Sequence, residues 1–154
     1  MKPAPIPKSK VVHHLLLVDE NQNGLAARKS FLQEKGYAIT TATNGEEALE
    51  AVSKREFDLM VTGFRMPKMN GLELIGRVRE LQPQLSIILL SGLASALGLD
   101  EASTGADVVI TKGANEIAYL LRAVTRLLAR KVVRRPLVSQ EDLVPKAKTR
   151  AASG

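Results

Sequence analysis

The chain has 154 residues, of which 45% are hydrophobic, and it contains no cysteine. This length and composition suit one folded domain with additional residues at its ends, and the lack of cysteine excludes disulfides, thiolate metal sites and cysteine nucleophiles. The formal net charge of +6 belongs to the ends, because residues 1–10 carry +3 and residues 131–154 carry +4, which leaves −1 for residues 11–130.

The two ends of the chain differ in composition from its middle. Residues 1–10 contain three prolines and three lysines, so we expect a flexible leader. Residues 11–133 are expected to form the folded domain, and residues 134–154 a flexible basic tail or a linker. No run approaches the ~18 apolar residues of a membrane helix, and no export signal is present. We therefore expect a cytoplasmic protein that contacts no membrane.

Five short apolar runs alternate with five helical patterns. Four of the runs are rich in Val, Ile and Leu, which is typical of strands buried on both faces of a parallel sheet, and the run over 37–42 contains Ile39, Thr40 and Thr41. The predicted strands are residues 11–18, 37–42, 59–62, 86–90 and 107–111, and the predicted helices are residues 22–35, a segment starting at 44–45, residues 72–81, residues 94–103 and a last helix from 117. Parallel neighbours need right-handed helical crossovers. The predicted fold class is therefore α/β, a doubly wound five-stranded parallel sheet with helices on both faces.

Two of the predicted helices differ in the strength of their patterns. The helix over 94–103 is the weakest, because Gly98 lies inside it and costs roughly 1 kcal/mol relative to alanine. The last helix has the clearest apolar stripe, and we expect it to end at Val132 or Val133. The stripe is formed by Ile117, Leu120, Leu121, Val124, Leu127 and Leu128.

Polar residues follow the carboxyl ends of the predicted strands, where doubly wound sheets bind their ligands. They are Asp19 and Glu20 after the first strand, Gly63 and Arg65 after the third, Ser91 after the fourth and Lys112 after the fifth. Carboxylates, a hydroxyl and a lysine together suit Mg²⁺ and a phosphoryl group. Taken singly, the acidic pair fits a solvated helix start equally well, and the serine and the lysine fit ordinary surface residues better.

Two long segments of the chain are distinctive, residues 15–20 (LLLVDE) and residues 58–74 (DLMVTGFRMPKMNGLEL), and the shorter motifs Ser91-Gly92, Gly105-Ala106-Asp107 and Thr111-Lys112 follow them. On these residues, and in this order, the chain from Val11 to about Val132 resembles the receiver domains of bacterial response regulators, such as chemotaxis regulators. The resemblance implies a flavodoxin-like receiver fold and a role in two-component signal transduction.

The resemblance also assigns roles to the residues at the strand ends. In the family, the acidic pair after the first strand holds Mg²⁺, and an aspartate after the third strand takes a phosphoryl group from a histidine kinase. A serine or threonine and a lysine contact that phosphate. Asp19, Glu20, Ser91 and Lys112 match these positions, and the backbone carbonyl of Arg65 would complete the metal site.

The phosphate-accepting position falls on Gly63, which departs from the family. An acyl phosphate needs a carboxylate oxygen as nucleophile, and glycine has no side chain, so we expect neither phosphotransfer nor any catalytic residue. Mg²⁺ loses one anionic ligand and should bind weakly at most, and no other cofactor is expected. Without phosphate or metal, Lys112 is predicted to pair directly with Asp19 or Glu20.

Four further positions bear on the mechanism. Gly113 stands where the family usually has a proline, and Val109 stands where it usually has an aromatic residue that reports occupancy of the pocket. His13 and His14 are consecutive in a predicted strand, so they point to opposite faces and cannot bind one metal ion together. The switch of the family is therefore expected to be absent.

These features lead to one main hypothesis and two alternatives. The main hypothesis is a non-enzymatic receiver module that works without phosphorylation, through contacts with signalling proteins such as a histidine kinase or an output partner, and through a homodimer formed by the last helix. The first alternative is an ordinary phosphoreceiver into which the change from aspartate to Gly63 was introduced. The second is a non-specific nucleic-acid binder that uses its tails, which the sequence disfavours because aromatic residues amount to only 3% and none lies in a tail to stack on bases.

Overall fold

The computed structural model describes residues 12–92 and 94–141. Within these residues the elements follow one another as β1 His14–Val18, α1 Gln22–Glu34, β2 Ala38–Ala42, α2 Gly45–Lys54, β3 Leu59–Gly63, α3 Gly71–Leu81, β4 Ser86–Ser91, α4 Ala94–Leu97, α5 Glu101–Thr104, β5 Val108–Thr111 and α6 Glu116–Glu141. None of the described helices combines the length and hydrophobicity needed to span a bilayer.

The five strands form one parallel sheet in the order β2-β1-β3-β4-β5. All five residues of β3 are buried, as expected for a central strand covered on both faces. Alternate residues of β1 enter different cores, because Leu16 and Val18 pack with α2 and α3, whereas Leu15 and Leu17 pack with α1 and α6. The predicted doubly wound α/β fold is confirmed, and strand order reverses beside β1 and β3 at the carboxyl edge.

Asparagine side chains start three of the helices. Asn21, Asn44 and Asn70 each accept a hydrogen bond from the backbone N–H three residues later, at 3.0, 2.8 and 3.0 Å. Asparagine is among the best N-cap residues because its side chain satisfies a backbone donor that the helix leaves unpaired. These caps fix where α1, α2 and α3 begin, close to the strand ends that precede them.

The single helix predicted over 94–103 is wrong, because the structure contains two short helices, α4 and α5, in its place. Gly98 between them has a φ of +67°, which is incompatible with a continuing right-handed helix. Asp100 then starts α5 with a capping box, in which its side chain accepts from the N–H of Ser103 at 2.8 Å and the Ser103 hydroxyl accepts from the N–H of Asp100 at 3.1 Å.

The predicted ends of the first strand and of the last helix are also wrong. The strand begins at His14 rather than at residue 11, and Val12 is exposed. The last helix continues past Val133 to Glu141 and includes Pro136. A proline inside a helix removes one helical hydrogen bond and crowds the carbonyl four residues earlier, so it weakens the helix there although its fixed φ of about −65° is itself helical. Residues 134–141 of the predicted tail thus belong to α6, whereas residues 1–11 and 142–154 lie outside the described residues, so the leader and the rest of the tail stay predictions.

Candidate functional site

The carboxyl edge of the sheet forms an open cleft of about 450 Å³. Its lining includes most of the candidate residues predicted from the sequence: Asp19, Glu20, Arg65, Ser91 and Lys112, together with Asn21, Phe64, Leu90 and Gly92. Gly63 lies buried beside this cleft at the end of β3. The structure therefore brings the predicted residues together, as the rule for strand ends in doubly wound sheets requires.

Asp19 is the buried acid of the cleft, with 3% of its surface exposed. Its Oδ2 accepts from Lys112 Nζ at 3.1 Å and from Arg28 Nη1 at 3.3 Å, and its Oδ1 accepts from the backbone N–H of Asn21 at 3.0 Å. The predicted ion pair of Lys112 with the acidic residues is confirmed for Asp19, whereas Glu20 is exposed to solvent. Both oxygens of the buried carboxylate are therefore already engaged.

Arg28 is a member of the site that the sequence analysis missed. It lies on the inward face of α1 with Leu25 and Leu32, and only 6% of it is exposed. Besides its contact with Asp19, its Nε donates to Glu116 Oε2 at 2.9 Å. Lys112, Asp19, Arg28 and Glu116 thus form one connected chain of ion pairs, which we call the charge network.

Gly24 provides the room that the guanidinium of Arg28 needs. A Cβ atom at position 24 would lie 3.2 Å from Arg28 Nη2, closer than such atoms usually approach. The signal that could have revealed Arg28 is its position, because an arginine at an inward helix position requires a buried anion nearby. Asp19, at the end of the preceding strand, is that anion.

Gly63 faces the carboxylate of Asp19. A Cβ atom on Gly63 would lie 3.3 Å from both Cγ and Oδ2 of Asp19, so any side chain at this position would project toward that carboxylate. The carbonyl of Gly63 accepts from the buried hydroxyl of Thr62 at 3.0 Å. Gly71 at the start of α3 packs directly against the same carbonyl, where a Cβ would collide with it.

The loop from β3 to α3 is held by its apolar side chains. Met66 and Met69 are buried in the core, and Phe64 packs against it from the edge. Lys68 has a φ of +69°. On either side of it, the N–H of Met69 donates to the carbonyl of Pro67 at 2.7 Å. This γ-turn is a rare and strained conformation, and it directs Pro67 and Lys68 to the surface.

Ser91 and Lys112 are positioned by backbone pairing. Ser91 is buried, stands opposite Thr111 in the register of β4 and β5, and its carbonyl accepts from the N–H of Lys112 at 3.1 Å. This bond places the lysine side chain over the carboxyl edge of the sheet. Val109, two residues earlier in β5 than Thr111, packs against the core and donates its N–H to Glu101 at 3.0 Å.

His14 lies at the opposite end of β1, away from the cleft. Its Nε2 is 2.7 Å from the hydroxyl of Thr40, and its ring meets the edge of Phe57 at a centroid distance of 5.1 Å. Burial lowers the pKa of His14 below its usual value, and the positive charge of Arg55 acts in the same direction. The contacts of His14 are therefore structural ones.

No cluster of three or more histidine and acidic side chains that could hold a metal ion occurs within the part of the chain that the structure describes. The cleft offers the engaged carboxylate of Asp19, the exposed carboxylate of Glu20 and the backbone at Arg65. Mg²⁺ usually keeps several of its waters and is held by one or two carboxylates in nearly ideal octahedral geometry. One of the two carboxylates here, that of Asp19, is already paired with Arg28 and Lys112, so the residues present fit such an ion poorly.

The sequence matches the response regulator receiver domain family over residues 15–125, and the chain belongs to that family. Among curated relatives, the gliding motility regulatory protein of Myxococcus xanthus is 33% identical over 119 residues, covering 73% of this chain and 15% of that protein. Response regulator SaeR of Staphylococcus epidermidis is 30% identical over 118 residues, covering 76% of this chain and 51% of that protein. The chain therefore spans about half or less of these relatives.

Solved structures share the fold. Response regulator TrrA from Thermotoga maritima, crystallised in complex with Mg²⁺ and BeF, is 36% identical with a TM-score of 0.69, covering 75% of this chain and 99% of that one. The domain is thus a receiver of the two-component class, and receivers of this class interact with histidine kinases and output partners.

Proposed function

We propose that this receiver accepts no phosphoryl group and signals through protein contacts alone. The observation that carries the proposal is Gly63, which ends β3 and faces the carboxylate of Asp19, at the position where the family resemblance places the phosphate acceptor. Phosphoryl transfer to an acyl phosphate requires a carboxylate nucleophile, and Gly63 supplies none. Ser91 and Lys112 would then be remnants of a phosphate site.

The metal site of the family is vestigial under this proposal. The Thermotoga relative was crystallised with Mg²⁺ and BeF, but here Asp19 is held by Arg28 and Lys112. The positions that correspond to metal ligands are Asp19, Glu20 and the backbone carbonyl of Arg65. Mg²⁺ would bind weakly at most, because one carboxylate is missing and another is already paired with cations.

The contact surface that we propose includes the exposed side of α6. Tyr119 is 46% exposed and lies under the guanidinium of Arg122, 5.7 Å from the ring centroid to Cζ. Arg122, Arg126 and Arg130 are all exposed at successive four-residue spacings, so they lie along one side of the helix. A signalling protein or a second copy of the chain could dock on this face.

Intact mass spectrometry after incubation with Mg²⁺ and a small phosphodonor tests the central claim. The wild-type protein should gain no stable phosphoryl group, and a gain that maps to a carboxylate would overturn the proposal. The contact surface is tested by sedimentation of the wild type and of the Tyr119→Ala/Arg122→Glu variant. A dimer that persists unchanged in the variant would exclude this face of α6 from dimerisation.

A second candidate function is non-specific binding of nucleic acid. This function is favoured because α6 is one uninterrupted helix, and residues 117–140 of it include six lysines and arginines and no acidic residue. Phosphate contacts of this kind are strongly salt-dependent. Titration with duplex DNA at ~150 mM salt separates the two candidate functions. A nucleic-acid binder should bind DNA at this salt concentration and should lose that binding when residues 134–154 are deleted, whereas a module that acts through protein contacts need not bind DNA.

A further inference from the structure

We propose that Arg28 acts as the built-in cation of the cleft, and that its guanidinium, rather than the missing side chain at Gly63 alone, excludes a divalent metal. Arg28 is buried against Asp19 at 3.3 Å. This inference deepens the proposed function, because it names the residue that replaces the metal.

The burial of the two cations around Asp19 is unequal. The side chain of Lys112 is 32% exposed, whereas that of Arg28 is only 7% exposed. A buried carboxylate requires a compensating positive charge, and arginine keeps its charge at every accessible pH. Arg28 is therefore the permanent inner counter-charge, and Lys112 is the outer one.

The guanidinium is also held in place from its other side. Glu116 accepts from Arg28 Nε at 2.9 Å, and the missing side chain of Gly24 leaves the space that Arg28 Nη2 fills. The four charges of the network, Lys112, Asp19, Arg28 and Glu116, sum to zero. The arrangement is neutral without any ion, and it ties the first turn of α6 to the cleft.

A divalent ion bound to Asp19 would have to share this space. Mg²⁺ binds oxygen at 2.0–2.1 Å, so an ion on Oδ2 would lie no more than about 5.4 Å from the nearest nitrogens of Arg28 and Lys112, which are 3.3 and 3.1 Å from that oxygen. Like charges at such a distance repel strongly in a partly buried site. The metal can enter only if Arg28 withdraws.

This reasoning predicts that restoring an aspartate at position 63 does not by itself restore the metal site. A side chain at 63 would start 3.3 Å from the carboxylate of Asp19. The guanidinium of Arg28 and the ammonium of Lys112 are already there to neutralise a second carboxylate. Removal of the Arg28 charge, together with the new aspartate, is required to leave uncompensated oxygens for an ion.

Mn²⁺ binding, followed by the electron paramagnetic resonance of the free ion, tests the inference on four proteins: wild type, Gly63→Asp, Arg28→Gln/Gly63→Asp and the control Arg77→Gln/Gly63→Asp. Arg77 is an exposed arginine on α3 whose partner is Glu73. The Arg28 double variant should bind Mn²⁺ at least about 10-fold more tightly than the other three, a difference consistent with removing one buried like charge. Equal affinity of Gly63→Asp and the Arg28 double variant would overturn the inference.

A measurement on the wild type keeps the inference testable if the Arg28 variants fail to fold. Paramagnetic broadening of backbone amide signals by Mn²⁺ should leave Asp19, Asn21 and Lys112 unaffected relative to surface residues. Selective broadening centred on these amides would show that an ion enters despite Arg28, and would contradict the inference. Phosphodonor labelling of the wild type would instead contradict the proposed function and would leave the Mn²⁺ comparison intact.

Discussion

Gly63 and Asp19 face each other at the carboxyl edge of the sheet, with the position of a Cβ at Gly63 only 3.3 Å from Cγ of Asp19. Gly63 ends β3 and Asp19 directly follows the neighbouring parallel strand β1, in which Val18 pairs with Thr62. The register of the sheet, and not a mobile loop, therefore determines which atoms a side chain at position 63 would contact.

Alanine at the two neighbouring glycines should have different effects. In Gly63→Ala the new Cβ would lie 3.3 Å from the carboxylate of Asp19, so that carboxylate must shift by a few tenths of an ångström. The energetic cost of this shift is partly offset because alanine lowers the conformational entropy of the unfolded chain. We expect a change within about 1 kcal/mol in the free energy of unfolding. Gly71→Ala would collide with the backbone carbonyl of Gly63 and should cost more than about 2 kcal/mol. Urea unfolding followed by circular dichroism measures both, and equal costs would refute this account of the α3 contact.

The ion pairs of Asp19 should be unequal in energy. Asp19→Asn removes the anion that compensates two cations, and breaking a buried pair in this way costs about 3 kcal/mol. Lys112→Gln removes only the more exposed partner, and Arg28 remains to neutralise the carboxylate, so a loss of about 1 kcal/mol or less is expected. Chemical unfolding of the two variants gives the comparison. A lysine variant as unstable as the Asp19 variant would show that Arg28 is not the main partner.

The sequence predicted the sheet and the position of the cleft because both depend on local patterns. Buried apolar runs such as residues 59–62 read as central strands, and the end of a parallel strand must lie at the carboxyl edge. The sequence alone therefore predicts that Asp19, Ser91 and Lys112 lie in one cleft. The sequence predicted one weak helix where the structure has α4 and α5 separated at Gly98. The positive φ of Gly98 depends on how the following turn packs, which the local pattern does not show.

Arg28 could not be assigned from local patterns, because its role depends on distant parts of the chain. Its partner Glu116 is 88 positions away, and the contact arises only when α1 and α6 pack on the same face of the sheet. Helical spacing shows that Arg28 shares a face with Leu25 and Leu32. Spacing alone does not show which anions that face meets. The length of α6 was similarly misjudged, because the expected end at Val132 or Val133 followed the end of the apolar stripe, whereas α6 continues to Glu141.

The stability of the domain should depend on pH through His14. The pKa of His14 is lowered in the folded state by burial, so the unfolded chain binds a proton at this residue in a pH range where the folded chain does not. Stability should therefore rise as pH increases from the folded-state pKa of His14 to the unfolded value of about 6.5, and fall when the protein is acidified through the same range. His14→Gln should show a smaller loss of stability between pH 7.5 and 5, as measured by thermal unfolding at each pH. An identical pH profile for the variant and the wild type would exclude His14 as a cause.

Two arginines of α3 that are two residues apart provide a matched test of what makes a surface cation stabilising. Arg79 donates to the carbonyl of Leu85 at 2.7 Å, to the carbonyl of Gly105 at 2.9 Å and to Asp107 at 3.1 Å, and so joins α3 to the loops before β4 and β5. Arg77 has only the exposed pair with Glu73. Arg79→Ala should lower the free energy of unfolding by about 2 kcal/mol, since each hydrogen bond to a backbone carbonyl contributes and two carbonyls lose their donor. Arg77→Ala should change it by less than about 0.5 kcal/mol, as for other exposed pairs one helical turn apart. Urea titrations of both variants decide the point, because similar losses would mean that charge, not the fixed carbonyl contacts, determines the contribution.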